Sequence, residues 1–119
     1  MSTIREILQK INKIDKVTGS VLSSYEGIII ESNLREGKDD VLQAGIASQK
    51  LTKIKDALGR LSLGGLKQMY LYGASGNQCL FEFKGKFLIV NCHKDANINY
   101  VSLELQPLIE DIDKILTTK

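Results

Sequence analysis

Cys79, Cys92 and His93 are the residues whose types come nearest to a nucleophile, a metal site or a redox pair. Such chemistry needs a thiolate activated by a neighbouring base, or several ligands closing on one ion. Neither cysteine belongs to a CxxC pair, and His93 is the one histidine of the chain. Strand-like runs containing Cys79 and Cys92 flank Gly85, so their mutual position depends on the turn. A turn at Gly85-Lys86 sets Cys79 opposite Cys92, whereas a turn at Lys84-Gly85 sets it opposite Val90. Both registers keep Cys79, Phe81 and Phe83 on the face shared with Leu88, Val90 and Cys92. Two thiols buried as small hydrophobes are one reading, and a thiol-based redox or metal protein is the other. His93 reads as the end of its strand.

The remaining motifs offer less. Gly59, Gly64 and Gly65 follow a helical pattern instead of preceding one, and they lack the Gly-Lys-Ser/Thr ending of a phosphate loop. No GxGxxG, GxSxG, HExxH or calcium-loop pattern occurs. Glu104, Glu110, Asp111 and Asp113 scatter along the solvated side of a terminal helix. With no catalytic machinery in view, the chain reads as a non-enzyme without cofactor or metal.

The elements that carry these residues follow from periodicity. Ile4, Ile7, Leu8, Ile11 and Ile14 recur at helical spacing behind a Thr3/Glu6 capping box, predicting a helix over residues 4–15. Residues 17–25 and 28–32 are rich in β-branched and apolar types, and Glu26-Gly27 supplies the positive φ of a hairpin. Residues 33–38 read as a loop, and Asp39 or Asp40 caps a second helix reaching about Leu61. Two glycines at 64–65 stop it, since each costs about 1 kcal/mol in a helix interior. Three short strands follow at 66–72, 78–84 and 87–92. Asn97 then caps a helix carrying Ile98, Val101, Leu105, Leu108, Ile109, Ile112, Ile115 and Leu116, with a bend or restart expected at Pro107.

At 119 residues, 43% hydrophobic and 25% charged, the chain has the size and composition of one globular domain spanning 1–119. A net charge of +2 gives no general attraction to nucleic acid. Apolar runs such as 87–90 are far too short to span a bilayer, and the N-terminus has no basic start followed by an apolar run. The two cysteines form no disulfide framework, so a reducing cytoplasm is the expected compartment.

The order helix, two strands, helix, three strands, helix reads as one sheet with helices on both sides. That order resembles the Roadblock/dynein light-chain family, in its small single-domain prokaryotic form. The resemblance is carried by residues 19–30, by Ala44-Gly45-Ile46-Ala47, by residues 61–72 and by Asp95-Ala96-Asn97-Ile98. Asn99 departs from it, standing where such members carry a small residue. The resemblance implies an α/β (α+β) fold with a five-stranded antiparallel sheet, the first and third helices on one face and the second helix on the other. It also implies a homodimer, joined through the second helix and third strand, that serves as a scaffold for a small Ras-like GTPase.

Coverage argues independently for a second copy. Strands lie about 4.8 Å apart, so five span roughly 20 Å, while a helix is about 10 Å across. One helix leaves much of its face bare. Residues 68–72 carry no Pro or charge, an edge open to another strand. Ala44, Gly45, Ala47 and Ser48 permit close approach, either by another helix or by the sheet beneath. The expected dimer interface is therefore Ala44, Gly45, Ser48, Leu51, Lys67, Gln68, Met69, Tyr70 and Leu71. Lys50, Lys53, Lys55 and Arg60 form a stripe that serves either as a solvated face or as a docking strip for an acidic partner. A small-ligand sensor of profilin-like or PAS-like type is the alternative to the scaffold.

Overall fold

Thr3 opens the first helix through the expected capping box. Its hydroxyl accepts from the Glu6 amide at 3.2 Å, and the Glu6 carboxylate accepts from the Thr3 amide at 3.0 Å. The computed structural model describes residues 2–35 and 37–117. Glu36, within the loop expected over 33–38, lies outside the described residues. Helix α1 spans Ile4–Asn12 and stops before the expected Asp15. The chain tightens there into i to i−3 bonds from Lys13 and Ile14, and Lys16 takes a left-handed φ of 67° to enter the sheet.

Strands β1 (Val17–Ser24) and β2 (Ile29–Asn33) pair antiparallel. Their turn is longer than a two-residue hairpin: Tyr25 belongs to it, Gly27 holds φ 86°, and the Ser24 amide donates to the Ile28 carbonyl. Helix α2 spans Asp40–Arg60, with the Asp39 carboxylate accepting from the Leu42 amide at 3.0 Å. Its stop comes before the two glycines. Ser62 adopts φ 58°, the Leu63 amide reaches back to the Leu58 carbonyl, and the Ser62 amide to that of Gly59. This double closure normally places glycine where Ser62 stands.

Strands β3 (Gln68–Tyr72), β4 (Asn77–Phe83) and β5 (Lys86–Cys92) form the meander. The five-stranded antiparallel sheet runs in the order β2-β1-β5-β4-β3. Helix α3 spans Ile98–Thr117, with the Asn97 side chain accepting from the Tyr100 amide at 3.2 Å. It continues through Pro107 without restarting. Pro107 and Leu103 both lie on its exposed side, where water can satisfy the carbonyl that proline leaves free. Asn99 is exposed too, so it crowds nothing.

Two apolar layers sandwich the sheet. On one face Ile7, Leu8 and Ile11 of α1, with Ile98, Val101, Leu105 and Ile112 of α3, cover Leu22, Phe81, Leu88 and Val90. On the other, Ala44, Ala47 and Leu51 of α2 meet Val21, Leu80, Phe87 and Ile89. Alanines let the α2 backbone come close, and polar links then fix it. Ser48 donates to the Tyr25 carbonyl at 2.8 Å. The Tyr25 hydroxyl donates to Glu82, which also accepts from Lys55 at 3.1 Å. Lys55 lies 4.5 Å from the Tyr25 ring centre, and that ring meets Phe87 edge-on.

Three expectations follow. Ser62→Gly removes a left-handed conformation that costs a side-chain-bearing residue about 1 kcal/mol, so chemical denaturation should find the variant more stable by about that amount. Lys55→Met should destabilise by about 1 kcal/mol while Lys53→Met changes little, because Lys55 alone of the two bonds to a shielded carboxylate. Burial and the Glu82 carboxylate hold the Tyr25 phenol above its ordinary value of 10.0. A raised pKa favours the neutral folded form, so this contribution is complete below pH 10 and is lost as pH climbs past it. The stability gap between wild type and Tyr25→Phe should therefore shrink in alkali.

Candidate functional site

The thiol pair resolves into core. The β4–β5 register pairs Phe83 with Lys86 and Cys79 with Val90, so the turn is Lys84-Gly85 and the alternative that sets Cys79 against Cys92 does not form. Both cysteines are free and buried beneath α1 and α3. The hydrogen bond to Cys92, then burial, pushes the Cys79 thiol far above its ordinary range, which makes it a poor nucleophile. His93 follows β5, and its Nδ1 accepts from the Asp95 amide at 3.1 Å, so the imidazole serves its own loop. Among the described residues no group of three or more His, Cys, Asp or Glu could hold a metal ion.

The surface of α2 and β3 is different in kind. Helix α2 packs on β1 and β2, and β3 stands at the far edge of the sheet, its outer side unpaired. On the α2 side Leu66, Met69 and Leu71 are only partly buried. Turned outward on α2, Val41, Leu42 and Ile46 are 63%, 59% and 47% exposed. Gly45 sits among them. A Cβ built there meets nothing within 4 Å beyond the adjoining helix, so the protomer's own packing does not require glycine.

The expected interface residues separate into groups. Ala44 and Leu51 are fully buried against their own sheet and lie beneath the outer surface. Ser48 is half-buried and engaged with Tyr25, while Gly45, Lys67 and Gln68 are exposed. Alternation divides β3: Met69 and Leu71 face the α2 side, whereas Tyr70 turns to α3, meeting Phe81 edge-on and Ser102 at 2.9 Å.

The basic stripe is interrupted. Lys50 and Lys53 are exposed, and Arg60 pairs with Asp56 at 3.0 Å on the surface. Lys55 instead turns inward to Glu82. It falls four residues after Leu51 and eight after Ala47, on the buried stripe of the helix, and that spacing is visible in the sequence. Val41, Leu42 and Ile46 were legible in the same way, as apolar positions outside the buried stripe.

Comparisons with known proteins agree with this architecture. The Roadblock/LC7 domain model matches residues 3–90. Protein MJ0714 of Methanocaldococcus jannaschii is 23% identical over 93% of this chain and 94% of its own length. Myxococcus xanthus MglB superposes with a TM-score of 0.91 at 14% identity, over 98% of this chain and 96% of that one. A Roadblock/LC7 domain from Streptomyces avermitilis reaches 0.87 at 18% identity, over 98% of this chain and all of that one. No helix among the described residues is long and apolar enough to cross a membrane. The match to the domain model, the helix and strand order and the five-strand sheet agree, and the chain belongs to the Roadblock/LC7 family.

Proposed function

We propose that the protein is a non-catalytic homodimeric scaffold, one domain per protomer, that binds a small Ras-like GTPase in the cytoplasm and regulates or localises it. The observation that carries this reading is an unpaired β3 edge on a sheet whose α2 side is incompletely covered, together with an outward apolar α2 face containing Gly45. A second copy related by a two-fold axis satisfies these features together: β3 pairs with β3, α2 meets α2, and Met69 and Leu71 gain cover. Gly45, Ser48, Lys67, Gln68, Met69 and Leu71 form this interface with Leu42 and Ile46, while Ala44 and Leu51 support it from beneath. Family membership supports the GTPase as partner. Lys50 and Lys53, both exposed, then steer its acidic surface, an effect expressed in association rate more than in affinity.

Light scattering at tens of micromolar should give twice the chain mass, and Ile46→Asp should return it to the protomer. Gly45→Ala separates the two accounts of that glycine. If it only weakens the helix, alanine adds about 1 kcal/mol of stability and leaves the mass unchanged. If it admits a second helix, the protomer gains that stability while the dimer dissociates at higher concentration, the outcome expected here. A Ras-like GTPase from the same genome, loaded in turn with GDP and a non-hydrolysable GTP analogue, should bind in one state preferentially. Lys50→Glu with Lys53→Glu should slow its association by about tenfold at low salt. Equal, salt-insensitive association of the two proteins would remove the docking role.

The small-ligand alternative has its own supporting observation, an open cleft of about 510 Å³ lined among others by Thr18, Leu34, Gln43, Gln78 and Asn91.

A further inference from the structure

Helix α2 runs along the sheet from Gln43, bonded to Asn91, to Lys55, bonded to Glu82, so its last turn reaches the end at which β4 turns into β5. The connection from α2 to β3 lies at the same end, because the Glu82 amide donates to the Lys67 carbonyl at 3.0 Å. The β1–β2 turn joins them, the Tyr25 amide donating to the Gly85 carbonyl at 3.3 Å. Two leucines stand here without cover. Leu61 and Leu63 are 67% and 65% exposed, and neither belongs to an apolar layer of the sheet. The closure that ends α2 ordinarily hides such a side chain, packing the residue in the place of Leu63 on the one in the place of Leu58. Here the backbone bonds of the closure form, yet Leu63 stays in water between the left-handed Ser62 and Gly64. Ile54, also exposed, lies seven residues before Leu61 and extends the apolar strip along the helix.

Positive charge gathers around these leucines. Residues 50–86 carry seven Lys and Arg against Asp56 and Glu82, although the whole chain is only +2. Both carboxylates are engaged, Asp56 by Arg60 at 3.0 Å and Glu82 by Lys55 at 3.1 Å. Lys67 follows the leucines in sequence, and Lys84, two residues past Glu82, starts the adjoining turn. Both are exposed and form no ion pair among the described residues. Glu26, in the neighbouring β1–β2 turn, is the exposed carboxylate nearest to them in the fold's connectivity. Across the sheet, α3 carries Glu104, Glu110, Asp111 and Asp113 against Lys114. The modest net charge therefore conceals two unlike faces.

We infer that this end of the protein docks on an anionic phospholipid bilayer, Leu61 and Leu63 entering the headgroup boundary while Lys67 and Lys84 face lipid phosphates. Charge complementarity selects the surface and the approach: an anionic leaflet attracts the α2 side and repels α3, so the molecule arrives oriented. The leucines select a bilayer over a nucleic acid, since a bilayer offers an apolar layer just below its charges. The contact is peripheral, made by one connection and its flanking turn. It combines two weak signals, an apolar tip and a basic patch, so the loss of either one is felt. The inference does not rest on the GTPase reading, and its test uses the chain alone.

The experiment is sedimentation of the full chain with vesicles of phosphatidylcholine, alone or mixed equally with phosphatidylglycerol. The mixed vesicles should bind the chain, the neutral ones should not, and salt should release it. Lys84→Gln should weaken binding about fivefold, whereas Lys114→Gln, the same loss of charge on α3, should change little. Leu61→Ser with Leu63→Ser should weaken it about tenfold, with circular dichroism confirming that the fold is kept. The chain has no tryptophan, so Leu63→Trp introduces a sole indole, whose emission should shift to the blue with mixed vesicles only. Binding with unmoved emission would reduce the contact to charge and overturn the insertion, as would equal losses from Lys84→Gln and Lys114→Gln. Failure to sediment with mixed vesicles would overturn the docking surface. So would emission that is already blue without vesicles and reddens on dilution, since a second copy would then cover Leu63.

Discussion

A twisted antiparallel sheet has two apolar faces to keep from water, and the cover for each is fixed by how many helices the chain supplies. This chain supplies three, divided two and one. Beneath α1 and α3 the side chains of Leu22, Cys79, Leu88 and Val90 are inaccessible to solvent. Beneath α2 burial is complete on the three central strands, at Val21, Leu80, Phe87 and Ile89, and partial at both edges, at Ile29 of β2 and at Met69 and Leu71 of β3. Each square ångström of apolar surface left wet forgoes about 25 cal/mol, so the uncovered strip is a reservoir of binding free energy. Most other features of the α2 side adjust to that imbalance.

Helix α2 illustrates the adjustment. A helix that merely covered a sheet would carry one apolar stripe and a charged remainder. Here Ala44, Ala47 and Leu51 form the inner stripe, and Val41, Leu42 and Ile46 lie outside it. Small inner residues draw the helix down but give it little side-chain interlock, so its position needs other determinants. Ser48 on the Tyr25 carbonyl, Lys55 on Glu82 and Gln43 on Asn91 provide them, spaced along the helix from its first turn to its fifth. With the inner side held by these directional contacts, the outer side can carry apolar groups without inviting the helix to roll over.

Element order and the division into layers were legible because they rest on periods and turn residues. The Thr3/Glu6 box, the Asp39 cap and Gly27 acted locally and as expected. Expectations missed or stayed open where more than one local closure was acceptable, or where a distant contact decided. Two turns at Gly85 were locally acceptable, and packing of Cys79 and Cys92 into one face could not discriminate between them. The end of α2 was assigned to glycines, yet Ser62 makes it, because the closing bonds to Leu58 and Gly59 outweigh the cost of a left-handed serine. Lys55 read as part of a charged stripe because its partner Glu82 is 27 residues away. The hydrogen bonds from Gln78 to Asn91 and from Asn91 to Gln43 were illegible because the three residues come from three separate elements.

The two edges of the sheet complete the argument, because they are not equivalent. Strand β2 departs from regular pairing with β1 at Leu22/Ser23, the kind of irregularity that discourages further strand addition. Its end is also occupied: Asn12 donates to the Asn33 carbonyl at 2.8 Å, and Ser32 bonds to Asp40 at the start of α2. Strand β3 pairs with β4 in unbroken register from Gln68 to Tyr72. No proline or charge lies within it. Natural sheets blunt the edges they do not use. A chain that protects one edge and leaves the other regular offers β3 as the receptive edge for the pairing proposed above. That asymmetry favours a closed pair over an open fibre, because a two-fold pairing through β3 consumes the one receptive edge of each protomer.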